Sequence, residues 1–186
     1  MRDAFKQGFV LFAITVAAVF CLSVTYLLTK EPIRQQQEKD YNAAMSALLP
    51  DAAVFEDERI EDVGGVTGVV AGYGGDGALI GYVVQTEANG YGGTIGVLTA
   101  FDAGGVISGV SVISSSETPG LGENVRNGSF AGQFKGKSST LAVTKTAPSE
   151  SEIHAVSGAT ISSRAVVTAV NAAIQYYETY LKGNGR

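Results

Sequence analysis

The chain has 186 residues, 45% of them hydrophobic and 17% charged, with a net charge of −5, which suits one modest globular domain plus a more apolar segment. Beyond residue 50 there are fourteen acidic and eight basic side chains, a balance that excludes nucleic acid as a partner, because a phosphate backbone demands a basic face. Cys21 and His154 are the only cysteine and histidine, which leaves no disulfide framework and no thiolate or imidazole cluster for a metal; with no G-x-S-x-G elbow, a Ser-His-Asp hydrolase has no nucleophile motif either.

The first element is Phe9 to Leu28, "FVLFAITVAAVFCLSVTYLL", which is 20 residues without a charge. As a helix it spans roughly 30 Å, the thickness of a bilayer's hydrocarbon core. A signal peptide has a shorter apolar core that ends at a small-residue cleavage site, and none is evident before Thr29. The reading is therefore a retained transmembrane helix over 9–28, preceded by a short terminus, 1–8. Arg2 and Lys6 on one side face Lys30, Arg34 and Lys39 on the other, so the positive-inside rule does not orient it. Pro32 is placed to open a juxtamembrane helix within 29–50, with Tyr41, Ala44, Met45, Leu48 and Leu49 at helical spacing and Pro50 as its stop.

From residue 51 the pattern changes to short β-type runs: "GVTGVVAGY", "GALIGYVVQT", "GTIGVLTAF" and "GVISGVSVI". Gly-Gly-Asp-Gly at 74–77, Glu-Ala-Asn-Gly at 87–90 and Asp-Ala-Gly-Gly at 102–105 supply turns, which predicts an antiparallel meander. The tetrapeptide Gly-Tyr-Gly-Gly occurs at 72–75 and again at 90–93, too short a unit to define a repeat. Gly72 to Gly77 also fits G-x-G-x-x-G, but a strand follows it where a dinucleotide fold needs a helix. A short helix or loop over 129–137 and a strand "TLAVTK" over 140–145 come next.

The last helix carries Val166, Val170, Ile174, Tyr177 and Leu181 on one face, a core stripe, with Ser162 or Ser163 as a predicted cap and Gly183 as its stop. Directly before it stands Ser157-Gly158-Ala159-Thr160. The first amides of a helix lack intrahelical partners and sit at the positive end of its dipole, so they favour a phosphate. Gly158 and Ala159 let backbone approach a bulky group, and Thr160 adds a hydroxyl that can donate to a phosphate or be esterified to one. An ordinary Ser/Thr-rich helix start fits the same residues.

"SGATISS" resembles the [ST]-G-A-T-x-[ST] flavinylation motif of the FMN-binding domain shared by the G subunit of Rnf electron-transport complexes and the C subunit of sodium-pumping NADH:quinone oxidoreductases. "SSSETPGLGENV" resembles that family's H-x-E-T-P-G-L-G block, and "TKEPI" after one N-terminal helix is similar to the start of Rnf G subunits. The likeness covers essentially the whole chain. Two departures stand out: His154 occupies a position where the family usually has aspartate, and Ser114 or Ser115 falls where the second block often has histidine.

The resemblance implies an α+β fold, with a single transmembrane helix followed by an antiparallel-sheet FMN-binding domain with flanking helices over 51–186, on the extracytoplasmic side. It implies FMN joined covalently through a phosphoester to Thr160, with Ser157, Gly158, Ala159, Ser162 and Ser163 around the attachment. Glu117, Thr118, Gly120 and Leu121 would lie against the ring, Leu121 as an apolar contact and Thr118 through its hydroxyl. Lys145 matches a lysine that favours the phosphate or a reduced ring. Implied partners are the other subunits of an Rnf complex, a flavin transferase that uses FAD, and the lipid bilayer. The implied role is electron carriage within a ferredoxin:NAD oxidoreductase coupled to Na⁺ or H⁺ transport, without full turnover by this chain alone. The C subunit of the NADH:quinone pump and a non-redox anchored binding module remain the alternatives.

Overall fold

The computed structural model describes residues 2–61 and 64–183. Met1 and residues 184–186, at the two ends of the expected domain scheme, and residues 62–63 lie outside the described residues. The chain divides into two compact units, Met1–Asn42 and Ala43–Arg186.

Helix α1, Arg2–Leu48, supplies the first unit and enters the second. Its apolar run is exposed throughout, with Phe9, Leu11, Phe20 and Leu28 all among the large hydrophobics left uncovered, and it is long and apolar enough to cross a membrane. The predicted separate helix beginning at Pro32 is corrected: Pro32 lies inside α1. Proline removes one amide from the ladder, but the turns after it are supported by side-chain pairs at helical spacing. Arg34 reaches Glu31 at 2.6 Å and Glu38 at 2.7 Å, and Gln36 donates to Asp40 at 2.8 Å, pairs that add a few tenths of a kcal/mol each.

The second unit begins at Ala43, upstream of the expected Asp51. Met45 and Leu49 are buried, so the end of α1 belongs to this core. The predicted meander is present as one antiparallel sheet in sequence order: β1 Val54–Asp57, β2 Val66–Tyr73, β3 Leu79–Asn89, β4 Thr94–Asp102 and β5 Ile107–Ser115. The glycine turns work as read at two places. Gly77, at φ 79°, donates its amide to Gly74 at 3.0 Å, and Gly105, at φ 87°, donates to Asp102 at 3.0 Å. At the third the turn is displaced: β3 runs through Asn89, and the reversal is Gly90–Gly93, closed by the Gly90 amide on the Gly93 carbonyl at 2.8 Å.

Alternation along the strands makes two faces. Tyr82 and Val84 of β3 with Ile95, Val97 and Phe101 of β4 face a core completed by the last helix, α3, Thr160–Tyr176, through Val166, Val170 and Ala173. Each valine, isoleucine and phenylalanine among them contributes on the order of 1.5–3 kcal/mol on burial. A wider helical turn, Tyr177–Leu181, continues α3 and stacks Tyr177 on Phe101 with centroids 4.9 Å apart; the predicted stripe is buried along its full length. On the other face, Gly72 and Gly109 leave room for the end of α1. A Cβ would stand 3.0 Å from Leu49 Cδ1 at the first and 2.8 Å from Leu48 Cδ2 at the second.

Between β5 and α3 lie 3₁₀ turns at Gly122–Arg126 and Gly132–Phe134, the short helix α2 Gly128–Ala131, and the strands β6 Ala142–Thr144 and β7 Glu152–His154. β6 and β7 pair in parallel. Strand β7 was not read from the sequence, yet it delivers the chain to α3 by burying Ile153.

Candidate functional site

The start of α3 is built by local bonds. Gly158 takes φ 76°, a conformation that costs a side chain, and Ala159 follows it as the cap residue. The first ladder bond runs from the Ser163 amide to the Ala159 carbonyl at 2.9 Å. The amides of Thr160, Ile161 and Ser162 therefore precede the ladder, as a helix N-terminus requires. The expected cap at Ser162 or Ser163 is corrected, because both lie within the first turn. Ser163 is fully buried and accepts from the Val156 amide at 3.0 Å while donating to Ala159 at 2.9 Å. That hydroxyl fastens the approach segment and faces away from solvent.

Ser162 points the other way, to Glu117. The Glu117 side chain is only 7% exposed. Its Oε2 accepts from Ser162 Oγ at 2.8 Å, and its Oε1 accepts from the amides of Tyr91 at 2.7 Å and Gly92 at 3.0 Å. One carboxylate thus joins three distant segments: the β3–β4 turn, the loop after β5 and the first turn of α3. Burial pushes its pKa up, but the Ser162 hydroxyl and the Gly92 and Tyr91 amides outweigh burial, and the net direction is down. Bonds to the charged form have this effect. Two glycines make room for the carboxylate, and a third for the backbone that leads to it. A Cβ at Gly90 or Gly122 would collide with its oxygens, and one at Gly92 would stand 2.5 Å from the Ser116 carbonyl.

The Glu117-to-Gly122 loop turns back on itself: the Leu121 amide donates to Thr118 at 3.2 Å, and Asn124 Nδ2 donates to Gly120 at 2.9 Å. Gly120 takes φ 77°, so its place is set by the turn. Leu121 is left 53% exposed.

These segments enclose a cleft of about 550 Å³ whose wall includes Glu117, Thr118, Leu121, Lys145, Gly158, Ala159, Thr160 and Ser162. Eight of the eleven residues inferred from the resemblance thus meet at one place. Ser157, Gly120 and Ser163 do not line it. His154 lies outside as well; its main chain pairs with the Gln133 side chain, N–H to Oε1 at 2.7 Å. Tyr91, Ile161 and Gly122 complete the wall. Tyr91 and Ile161 were missed as site residues, and the only hint at Tyr91 was the second Gly-Tyr-Gly-Gly. A larger hollow of about 750 Å³, lined by Lys135, Lys137 and four serines, contains none of the expected residues.

A bed of helix-start amides beside a hydroxyl, with Leu121 and Ile161 in the same cleft lining, suits a ligand with a phosphate at one end and a flat apolar ring at the other, the class of a flavin-nucleotide-binding domain. The family described as "FMN-binding domain" matches residues 90–175, and "RnfG N-terminal region" matches residues 1–48. The chain is 37% identical to the G subunit of the Na⁺-translocating ferredoxin:NAD⁺ oxidoreductase complex of Acetobacterium woodii, over 97% of this chain and 95% of that one. It is 36% identical to the G subunit of the proton-translocating ferredoxin:NAD⁺ oxidoreductase complex of Clostridium ljungdahlii, over 87% and 85%. The structure of Shewanella oneidensis NqrC superposes with a TM-score of 0.52 at 28% identity, covering 56% of this chain and 53% of that one. The C subunit of the Na⁺-translocating NADH-quinone reductase of Parabacteroides distasonis, at 20% identity, shares the fold with a TM-score of 0.55 over 77% of this chain and 94% of its own. The chain belongs to the G-subunit family of Rnf ion-translocating oxidoreductase complexes.

Proposed function

We propose that the chain is the electron-carrying subunit of a membrane-bound Rnf-type complex, a ferredoxin:NAD oxidoreductase coupled to Na⁺ or H⁺ translocation, and that FMN is held as a phosphoester on Thr160. The observation that carries this reading is the position of Thr160, half-buried at the first residue of α3 and in one cleft wall with Glu117, Thr118, Leu121 and Lys145. Both ions stay within the proposal, since the Acetobacterium relative is named for Na⁺ and the Clostridium relative for protons.

When bound, FMN supplies a ring that exchanges one or two electrons. The rest falls to this chain. The amides of Thr160, Ile161 and Ser162 would donate to phosphate oxygens, and Lys145, in the same cleft lining, would balance their charge. Leu121 and Ile161 would exclude water from the ring, Thr118 would offer it a hydroxyl, and the Glu117–Ser162 bond holds the loop against the helix. Ser157, Ser163 and Gly120 lie outside the cleft lining and would act by shaping the segments that carry it. In attachment by a flavin transferase, the Thr160 Oγ1–phosphorus bond forms and the pyrophosphate bond of FAD breaks; AMP leaves with the electron pair and the hydroxyl proton goes to solvent. A tether keeps the local cofactor concentration high, which suits an extracytoplasmic domain from which free flavin would be lost. The amino terminus is then cytoplasmic, and the remaining subunits of the complex supply and accept the electrons.

The test is coexpression of the full chain with a flavin transferase, read by intact mass and by flavin fluorescence in a denaturing gel. One added FMN mass in the wild type and none in Thr160→Ala is the expected result. An FMN mass that persists in Thr160→Ala removes the assignment, and a wild type that binds an anion but no flavin favours the non-redox module. His154→Asp, which restores the carboxylate usual in the family, is expected to raise attachment if the wild type is modified incompletely.

A further inference from the structure

Large hydrophobic side chains exposed outside α1 are few. Among the described residues they are Val54, Ile60, Tyr91, Leu121 and Ile161, and the last three line the same cleft. Tyr91 is the most exposed of them at 74%, and it is an aromatic ring at the tip of a tight turn. Isolated exposed hydrophobics are ordinary, whereas three gathered at one hollow mark a ligand surface.

The turn that carries Tyr91 is fixed from behind. The Tyr91 and Gly92 amides both donate to Glu117 Oε1, and Glu117 Oε2 accepts from Ser162, two residues beyond Thr160. The flanking positions 90 and 92 have no space for a side chain, so position 91 is where this turn can present one. Resting on the FMN reading above, we propose that Tyr91 is a flavin-binding residue whose phenol ring stacks on the isoalloxazine in the cleft it shares with Leu121 and Ile161, and that Glu117 is the positioning residue that holds it there.

The chemistry is that of offset aromatic stacking. The isoalloxazine is planar and electron-poor, and a phenol is a matching electron-rich face. Stacking leaves two optical marks: a tyrosine against the ring quenches its emission, and a covered ring resists quenching by iodide.

The experiment uses the full chain in detergent, coexpressed with a flavin transferase, and compares native with denatured emission in each sample, so that differences in loading cancel. In the wild type, native emission is expected to be severalfold below denatured emission and insensitive to iodide. Tyr91→Ala should bring native emission close to the denatured level and admit iodide. Tyr91→Phe should regain emission, because the oxidisable hydroxyl is gone, yet stay shielded from iodide. Glu117→Ala should behave as Tyr91→Ala does, and Glu117→Gln, whose amide oxygen still accepts from the two backbone amides, should stay near the wild type. If native emission and iodide access in Tyr91→Ala equal those of the wild type, Tyr91 does not cover the ring. If Glu117→Ala keeps the wild-type ratio, its positioning role is wrong. Where the wild type shows no flavin after denaturation, the phosphoester reading has failed, and the same comparison is made by titrating FMN into the full chain. Equal quenching of the titrated FMN in wild type and Tyr91→Ala, or no binding at all, also overturns the Tyr91 proposal.

Discussion

The same four residues, Gly-Tyr-Gly-Gly, occur at 72–75 and 90–93 and do different work. In the first copy Gly72 lies within β2 under Leu49, and Tyr73 is half-buried against the core. In the second the residues form the whole reversal between β3 and β4, and Tyr91 stands exposed in the cleft lining. The difference comes from what faces each copy: a leucine from the α1 end in one case, a buried carboxylate from a loop 26 residues away in the other. A short motif carries a conformational allowance, and tertiary neighbours decide its use.

Substitutions in each copy, and at the carboxylate behind the second, should separate the two, read by denaturant unfolding of the full chain in detergent. Gly92→Ala is expected to cost the most, about 3 kcal/mol, because the added methyl meets the Ser116 carbonyl, a backbone atom that cannot move aside. Glu117→Ala comes next at about 2 kcal/mol, since two amides and the Ser162 hydroxyl lose a charged partner. Gly72→Ala should cost about 1 kcal/mol, the methyl pressing on Leu49 and Ala52 side chains that can shift. Gly75→Ala, with open space around it, should fall within about 0.5 kcal/mol. Equal costs at Gly92 and Gly75 would erase the distinction.

The carboxylate also gives the second copy a pH signature. The Glu117 pKa is lowered in the folded chain, so its stabilisation is present above the ordinary carboxylate value and is lost as pH falls through the lower folded one. Unfolding free energy measured from neutral to acid pH should fall less steeply in Glu117→Gln than in the wild type. Parallel profiles would mean that Glu117 contributes no charge-dependent stability.

Much of this was legible from residue order. Glycine-bounded β runs gave β2 to β5, because such a meander is made of local turns. The stripe from Val166 to Leu181 gave α3 by periodicity. Short elements were not legible: β1 and β7 have four and three residues and too little pattern to declare themselves. Pro32 misled because proline suits a first helical turn, whereas here it sits inside a long helix whose next turns carry ion pairs. The serines misled because Ser162 and Ser163 resemble caps, whereas Gly158 and Ala159 already turn the chain into α3. That Thr160, Glu117, Thr118, Leu121 and Lys145 belong together was read through resemblance, and the fold brings them into one cleft. Tyr91 was not, since its place depends on a carboxylate that only the folded sheet brings beneath it.

The glycines on the sheet's second face bear on where this protein can be cut. Because Gly72 and Gly109 have no side chains, Leu48 at the end of α1 and Leu49 just after it can pack against that face. Cleavage at Pro50 would therefore uncap a domain instead of releasing one, baring a glycine-floored apolar surface prone to self-association. A soluble fragment that keeps the native sheet must start upstream of Met45 and carry part of α1 with it.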